Sequence, residues 1–176
     1  GMSESELSSL MTLSGEKAFR AKQLYGWMMK GYNIDEMKNL PEVLRDKIKK
    51  DWDYRMPVIE KKLVSAKDGT IKYLFRLVDG EFIESVFMRY EHGNTLCVSC
   101  QAGCRMGCRF CASTIDGLAR NLTSSEILGQ IIAAQRDTGE RVDGVVMMGI
   151  GEPLDNYAGT VGFLKLVSEQ KGLNIG

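Results

Sequence analysis

Neither sign of charge dominates this chain, no apolar run is long enough to cross a bilayer, and no repeat or low-complexity tract interrupts its 176 residues. Lys and Arg total 23 and Asp and Glu also total 23, giving a formal net charge of zero. That balance excludes a global positive field that would gather nucleic acid, and it excludes an acidic disordered tail. Any RNA contact must therefore come from local patches. The N-terminal segment "GMSESELSSLMTLSGEK" lacks the basic flank and continuous apolar stretch of a signal peptide, and no run of about 18 apolar residues occurs elsewhere. The expectation is a cytoplasmic protein with no membrane partner, long enough for one domain or two small ones around a real core.

What the chain does have is sulfur in one place. "CQAGCRMGCRFCAST" (100–114) holds four of the five cysteines, and Cys97 lies just ahead of it. In a reducing compartment such clusters hold metal or perform redox chemistry more often than they staple a fold, and an odd count weakens a disulfide reading further.

Residues 14 to 50 read as helices. Ser14 suits an N-cap for a segment with Ala21, Leu24, Tyr25 and Met28 at helical spacing, Gly31 suits a stop, and Pro41 suits a first turn before Val43, Leu44 and Ile48. From Leu63 to Tyr90 the period falls to two, and "DG" at 68–69 and 79–80 marks two turns, so the simplest reading is a three-stranded meander. Ile71, Tyr73, Phe75 and Leu77 share one face of its middle strand. In the third strand Glu84 falls in phase with Phe82, Val86, Met88 and Tyr90, while the opposite face (Ile83, Ser85, Phe87, Arg89) is mixed, which leaves the inward direction open. A carboxylate on such a stripe is either an edge residue reaching water or a functional group.

Beyond Gly93 the order is strand (95–99), cysteine loop, helix (123–137, with a Thr123…Glu126 capping box), strand (143–149), the loop "IGEPLDN", and a helix around Val161, Leu164 and Val167. In β/α units of this kind the loops after the strands gather at one end of the sheet, so the cysteine loop and the Gly-Glu-Pro loop are expected to face one pocket.

Three readings compete for Cys104, Cys108 and Cys111. As the stripe of an amphipathic helix they would be core thiols, but Gly103 and Gly107 each cost about 1 kcal/mol in a helix. As zinc ligands, Cys97/Cys100 and Cys108/Cys111 form two pairs, although the gap between the pairs is shorter than the roughly 15–20 residues usual for zinc ribbons, and Cys104 is left without a role. As ligands of an iron–sulfur cluster, three thiolates leave one iron open to a small molecule. Arg105, Arg109 and Arg120 around Asp116 make the rim locally basic, which suits an anionic cluster or an approaching phosphate.

C-x3-C-x2-C with Phe110 before the last cysteine resembles the signature of radical S-adenosylmethionine enzymes. The longer run "CVSCQAGCRMGCRFCAST…GLARNLTSSEILGQ", followed by "VVMMGIGEPLDNY" and preceded by "FRAKQLYGWMMKGY", is similar to the RlmN family of adenine C2-methyltransferases of large-subunit ribosomal RNA. The resemblance implies that Cys104, Cys108 and Cys111 ligate a 4Fe-4S cluster whose open iron is chelated by S-adenosylmethionine, and that Gly151 and Glu152 contact that cofactor. It implies that Cys97 resolves a covalent enzyme–RNA intermediate by forming a disulfide, and that Glu84 removes the adenine C2 proton, for which a partly desolvated carboxylate is suited. The substrate class would be 23S rRNA and also tRNA, with an electron donor such as flavodoxin or ferredoxin. Phe19, Arg20, Gln23 and Trp27 are candidates for holding RNA.

The family's downstream cysteine, which carries the methyl group, has no counterpart in these residues. The fold class expected is α/β: a helical accessory domain (2–55), a β-meander extension (56–92), and the N-terminal part of a radical S-adenosylmethionine (β/α) barrel (93–176), incomplete after about two β/α units. On this reading the chain is a fragment that does not complete methyl transfer alone. Two other functions share some of these features: a related adenosine C8-methyltransferase with the same cluster loop, and a zinc-bearing module that binds RNA or protein without catalysis.

Overall fold

The computed structural model describes residues 1–52 and 54–175. Three helices open the chain: α1 (Glu4–Leu13), α2 (Phe19–Met28) and α3 (Glu42–Asp51). The first of these lies ahead of the expected helical region. Ser3 and Glu6 form a reciprocal capping box at its start, and Leu7 and Met11, one turn apart, are its buried residues. Ser14 consequently ends α1, donating its N–H to the Leu10 and Met11 carbonyls, and does not cap α2. Pro41 stands at the N-cap of α3, one place before the first turn, and Val43 is exposed where Leu44 and Ile48 are buried. Leu7, Met11, Leu24, Tyr25, Met37, Leu44 and Ile48 build one apolar cluster, which Trp27 and Trp52 flank.

A second, larger cluster lies under a five-stranded sheet. Strands β1 (Val58–Val64), β2 (Ile71–Arg76), β3 (Phe82–Tyr90) and β4 (Gly93–Cys97) pair antiparallel in sequence order, and β7 (Gly144–Val146) joins β4 in parallel. Ile71, Tyr73 and Phe75 are buried as a clean stripe, and the register sets them opposite Phe87, Ser85 and Ile83. Residues paired across a ladder share a face, so β2 decides which way β3 turns: Ile83, Ser85 and Phe87 face the core. The stripe with Val86 and Met88, including Glu84, is the open face. This resolves the ambiguity of the mixed third strand.

Between β4 and β7 the chain passes through a small ladder of β5 (Gln101–Gly103) and β6 (Leu118–Asn121), then α4 (Ser124–Thr138). The helix starts at the Thr123–Glu126 capping box and stops at Gly139, whose φ of 72° is the left-handed conformation a C-terminal glycine supplies. Ile127 and Ile131 of α4 belong to the same core as the sheet stripe, together with Phe163 and Val167 of α5 (Tyr157–Val167). Of the residues around which α5 was expected, Val167 is buried and Leu164 exposed, and Thr160, Phe163 and Leu166 complete its buried side. The result is the α/β class expected: helices, then a meander, then strand–helix–strand–helix with parallel pairing, the unit from which (β/α) barrels are built. No helix among the described residues is long and apolar enough to cross a membrane.

Polar latches dock the helical unit on this layer. Arg136 of α4 donates to the Gly31 carbonyl and pairs with Glu36 at 2.7 Å, and Tyr25 donates to Glu169 at 3.0 Å.

Candidate functional site

The cysteine loop is an excursion from the β5–β6 ladder. Gly103 (φ 73°) closes its base, because a Cβ there would collide with the Gly117 carbonyl, and the Cys104 N–H donates to that same carbonyl at 2.9 Å. Only glycine permits this approach. Cys104 is therefore buried at the foot of the loop, Cys111 is half-buried, and Cys108 is exposed near the tip beside Phe110, which is 94% exposed.

All five cysteines are free thiols. Among the described residues, no three His, Cys, Asp or Glu side chains converge closely enough to hold a metal ion. The donor set nevertheless suits an iron–sulfur group in kind and number: three thiols on one loop, with the nearby Asp155 already occupied. Arg105, lying between the first two cysteines, pairs with Asp155 (Nε to Oδ2 3.0 Å), and Gln101 donates to it at 2.8 Å, which together hold that carboxyl below the usual range. Convergence would require the exposed stretch around Cys108 to fold in toward Cys104.

The rim is less basic than its composition implies. Arg105 is paired with Asp155, and Arg120 with Asp79 and Glu126. Arg109 is exposed and makes no ion pair among the described residues. Burial alone would raise the Glu126 carboxyl, but hydrogen bonds from Arg120 and Thr123 outweigh it and hold it low.

Cys100, a member of both the zinc pair and the cysteine-rich run, is part of the main apolar core, and burial pushes its thiol up to about 12. Cys97 stands opposite Val86 and Val146 on the open face, with its thiol raised by burial and partly lowered again by a backbone hydrogen bond with Met148. The two thiols, three residues apart, thus serve different surroundings.

Glu84 is on the same open face as Cys97. Val86 is opposite Cys97, and Glu84 is the next residue of that stripe. Its carboxylate is 41% exposed and meets Lys72 of β2 at 2.9 Å. Sheet register alone thereby brings two sequence-expected catalytic residues together.

The Gly-Glu-Pro loop is lashed to the root of the cysteine loop, as the shared-end expectation required. Gly149 donates to the Val98 carbonyl at 3.1 Å, Cys100 donates to the Ile150 carbonyl at 2.9 Å, and Glu152 donates to the Gln101 side-chain oxygen at 2.9 Å. Asn156 donates to the carbonyls of Cys100 (2.7 Å) and Leu122 (2.8 Å). Gly151 has a φ of 105°, and a Cβ on it would stand 2.6 Å from the Gln101 Cβ, so packing against Gln101 already demands glycine there. Gln101, Asp155 and Asn156 escaped the sequence reading; the only sign of them was polar residues in segments that the topology buries. Of the RNA-holding candidates, Phe19 is exposed with the Arg20 guanidinium over its ring, whereas Trp27 packs edge-on against Tyr32. A groove of about 600 Å³ lies elsewhere, between the helical unit and the sheet, and is lined by none of these residues.

Residues 1–52 match the family model described as the ribosomal RNA large subunit methyltransferase N-terminal domain. A protein of Clostridium acetobutylicum named "Probable dual-specificity RNA methyltransferase RlmN" is 51% identical over 174 residues, which is 98% of this chain and 50% of that protein. A protein of the same name from Clostridium tetani is 50% identical over 176 residues, again 50% of its length. Among solved structures, a radical SAM methyltransferase from Sphaerobacter thermophilus superposes with a TM-score of 0.91 at 37% identity, covering 99% of this chain and 53% of that one. The chain spans about half the length of the curated relatives it matches.

Proposed function

We propose a function from one premise: the chain belongs to the RlmN family, whose N-terminal domain matches at residues 1–52 and whose members resemble it along nearly its full length. On this reading it is the N-terminal half of a radical S-adenosylmethionine methyltransferase acting on C2 of adenosine in 23S rRNA and also in tRNA. Its units are the helical accessory part (2–55), the meander (56–92) and the first part of the barrel (93–176).

The observation that carries the reading is the meeting of three segments at one end of the sheet. Glu84 and Cys97 share the open face, and the Gly-Glu-Pro loop is bonded to the root of the cysteine loop. Cys104, Cys108 and Cys111 would hold a 4Fe-4S cluster, and Glu152 would pair with the ammonium of S-adenosylmethionine. When bound, and reduced by a donor such as flavodoxin or ferredoxin, that group supplies the one-electron chemistry that activates a methyl carbon, carried by a cysteine outside these residues.

The chain's own residues then have separable tasks. Gly151 lets the loop backbone lie against Gln101, which fixes where Glu152 begins. Glu84 takes the proton from adenine C2, its carboxylate reaching the open face beside Lys72 of β2. Cys97, whose thiol pKa burial raises, would resolve the enzyme–RNA adduct by attacking the carrier cysteine's sulfur: the S–S bond forms as the carbon–sulfur bond to RNA breaks, and the electron pair leaves with the carbon, which takes up a proton. Phe19 and Arg20 offer a stacking surface and a cation to RNA.

The full-length protein, assayed without oxygen on a 23S rRNA fragment, is expected to place one methyl group on adenine C2. Glu84→Gln is expected to add the carbon but leave RNA covalently attached, visible as a slow band on a denaturing gel. Normal turnover by that variant would remove Glu84 from the mechanism, and product methylated at C8 would favour the related C8 enzyme.

A further inference from the structure

We propose that Ser99 is a positioning residue that couples the Glu84 strand to the Gly-Glu-Pro loop, and that Gln130 holds Ser99 in place to do so. The inference rests on the function proposed above and concerns a residue for which that function assigned no role.

Paired register between β3 and β4 ends at Val86 and Cys97. Continued by two residues, it would set Glu84 opposite Ser99 as one more backbone pair. The structure does something else. The Ser99 hydroxyl donates to the Glu84 carbonyl at 2.6 Å and accepts the Ile150 N–H at 2.9 Å, so a single oxygen joins the strand of the proposed base to the residue before Gly151 and Glu152.

The Ser99 backbone is thereby left for α4. Its N–H donates to the Gln130 side-chain oxygen at 2.9 Å, and its carbonyl accepts from the Gln130 side-chain nitrogen at 2.9 Å. The same Gln130 oxygen accepts the Ser85 hydroxyl at 2.6 Å, and the nitrogen also reaches the Glu126 carbonyl at 3.4 Å. Ser99 and Gln130 are fully buried and Ser85 nearly so. A primary amide has two acceptor sites and two donor hydrogens, and all four are used here.

A hydroxyl has one proton to give, and Ser99 gives it to Glu84. Removing that oxygen takes the partner from a carbonyl on one site segment and from an N–H on the other, both part-buried, and breaks the bond that joins them. The two segments would then keep their own anchors while losing the direct bond between them. That separates positioning from simple stability: a residue that merely supports the fold lowers the melting temperature without changing which chemical step is slow.

The test uses Ser99→Ala, Ser99→Thr, Gln130→Met and Glu84→Gln in the full-length protein. Ser99→Ala is expected to slow release of methylated RNA at least tenfold, to accumulate the covalent RNA adduct expected of Glu84→Gln, and to raise the KM for S-adenosylmethionine severalfold. Ser99→Thr, which retains the hydroxyl, is expected to restore release to within about threefold. In the present chain, amide hydrogen exchange at Ile150 is expected to be at least tenfold faster in Ser99→Ala. Should Ser99→Ala not fold, Gln130→Met carries the test and is expected to give the same adduct and the same faster exchange at Ile150. If Glu84→Gln traps RNA while the Ser99 and Gln130 variants turn over normally, or lose only thermal stability, the coupling role is overturned and the proposed function stands. If Glu84→Gln itself traps nothing, Glu84 is not the base and this inference falls with that role, while the proposed function is tested separately by the methyl group on adenine C2.

Discussion

The two faces of the five-stranded sheet are made by the same strands, residue by alternate residue, and they have opposite characters. The covered face sets Ile71, Tyr73, Phe75, Ile83, Phe87 and Leu96 against α4, all buried in one apolar cluster. The open face carries Lys72, Glu84, Val86 and Cys97, none of them fully buried. Stability is concentrated on one side and titratable, nucleophilic chemistry on the other. The lesson is that a strand can serve both purposes because its period is two: a one-residue slip would exchange core for site.

The sharpest test of that division compares neighbours in β3. Phe87→Ala should cost about 3–5 kcal/mol in urea unfolding of this chain, because a fully buried ring leaves a cavity. Val86→Ala, one residue away on the open face, should cost about 1 kcal/mol or less. Comparable losses at the two positions would show that the open face is packed after all.

The cysteines extend the comparison. Cys100→Ser places a hydroxyl in the apolar core and should cost about 1–3 kcal/mol, while Cys97→Ser should change stability by less than about 0.5 kcal/mol. Equal effects would mean that the two thiols are not in different surroundings.

The smallest effect concerns the polar start of the helix that covers the sheet. The folded-state pKa of Glu126 is depressed, so its contribution is present above the ordinary glutamate value of about 4.3 and is lost as pH falls through the lower folded value. As pH falls through the acid range the natural chain should therefore lose more stability than Glu126→Gln, measured by denaturation at each pH. Parallel pH profiles would mean that Arg120 and Thr123 contribute nothing through that carboxylate.

Much of this was legible in the sequence wherever a local signal had a single physical meaning. The two Asp-Gly turns, the apolar stripe of β2 and the Thr123–Glu126 box are all present, and of the strand expected over 143–149 the part Gly144–Val146 pairs in parallel. The failures came where one residue type fits two positions. Ser14 caps a helix from either end, and without α1 in view its side was misjudged. Val43 is apolar yet exposed, since helical phase is set by which neighbour arrives to cover it. The cysteine rim is less basic than the sequence implies because Asp79 and Asp155, which pair with Arg120 and Arg105, are about 40 and 50 residues away, and because Glu126, read from the sequence only as a helix cap, also pairs with Arg120.

The amino-acid order by itself determined the chemical inventory and its local spacing: three thiols on a glycine-closed loop, a Gly-Glu-Pro turn after an apolar strand, and a carboxylate in phase with an apolar stripe. Only the tertiary structure decided which stripe faces outward, that Glu84 and Cys97 share that side, and that Ser99, Gln101 and Gln130 join the separate segments. The physical reason is that burial and hydrogen-bond partnership are properties of pairs. A residue's own chemistry is written in its side chain, but its partner is supplied by whatever part of the chain the fold brings against it.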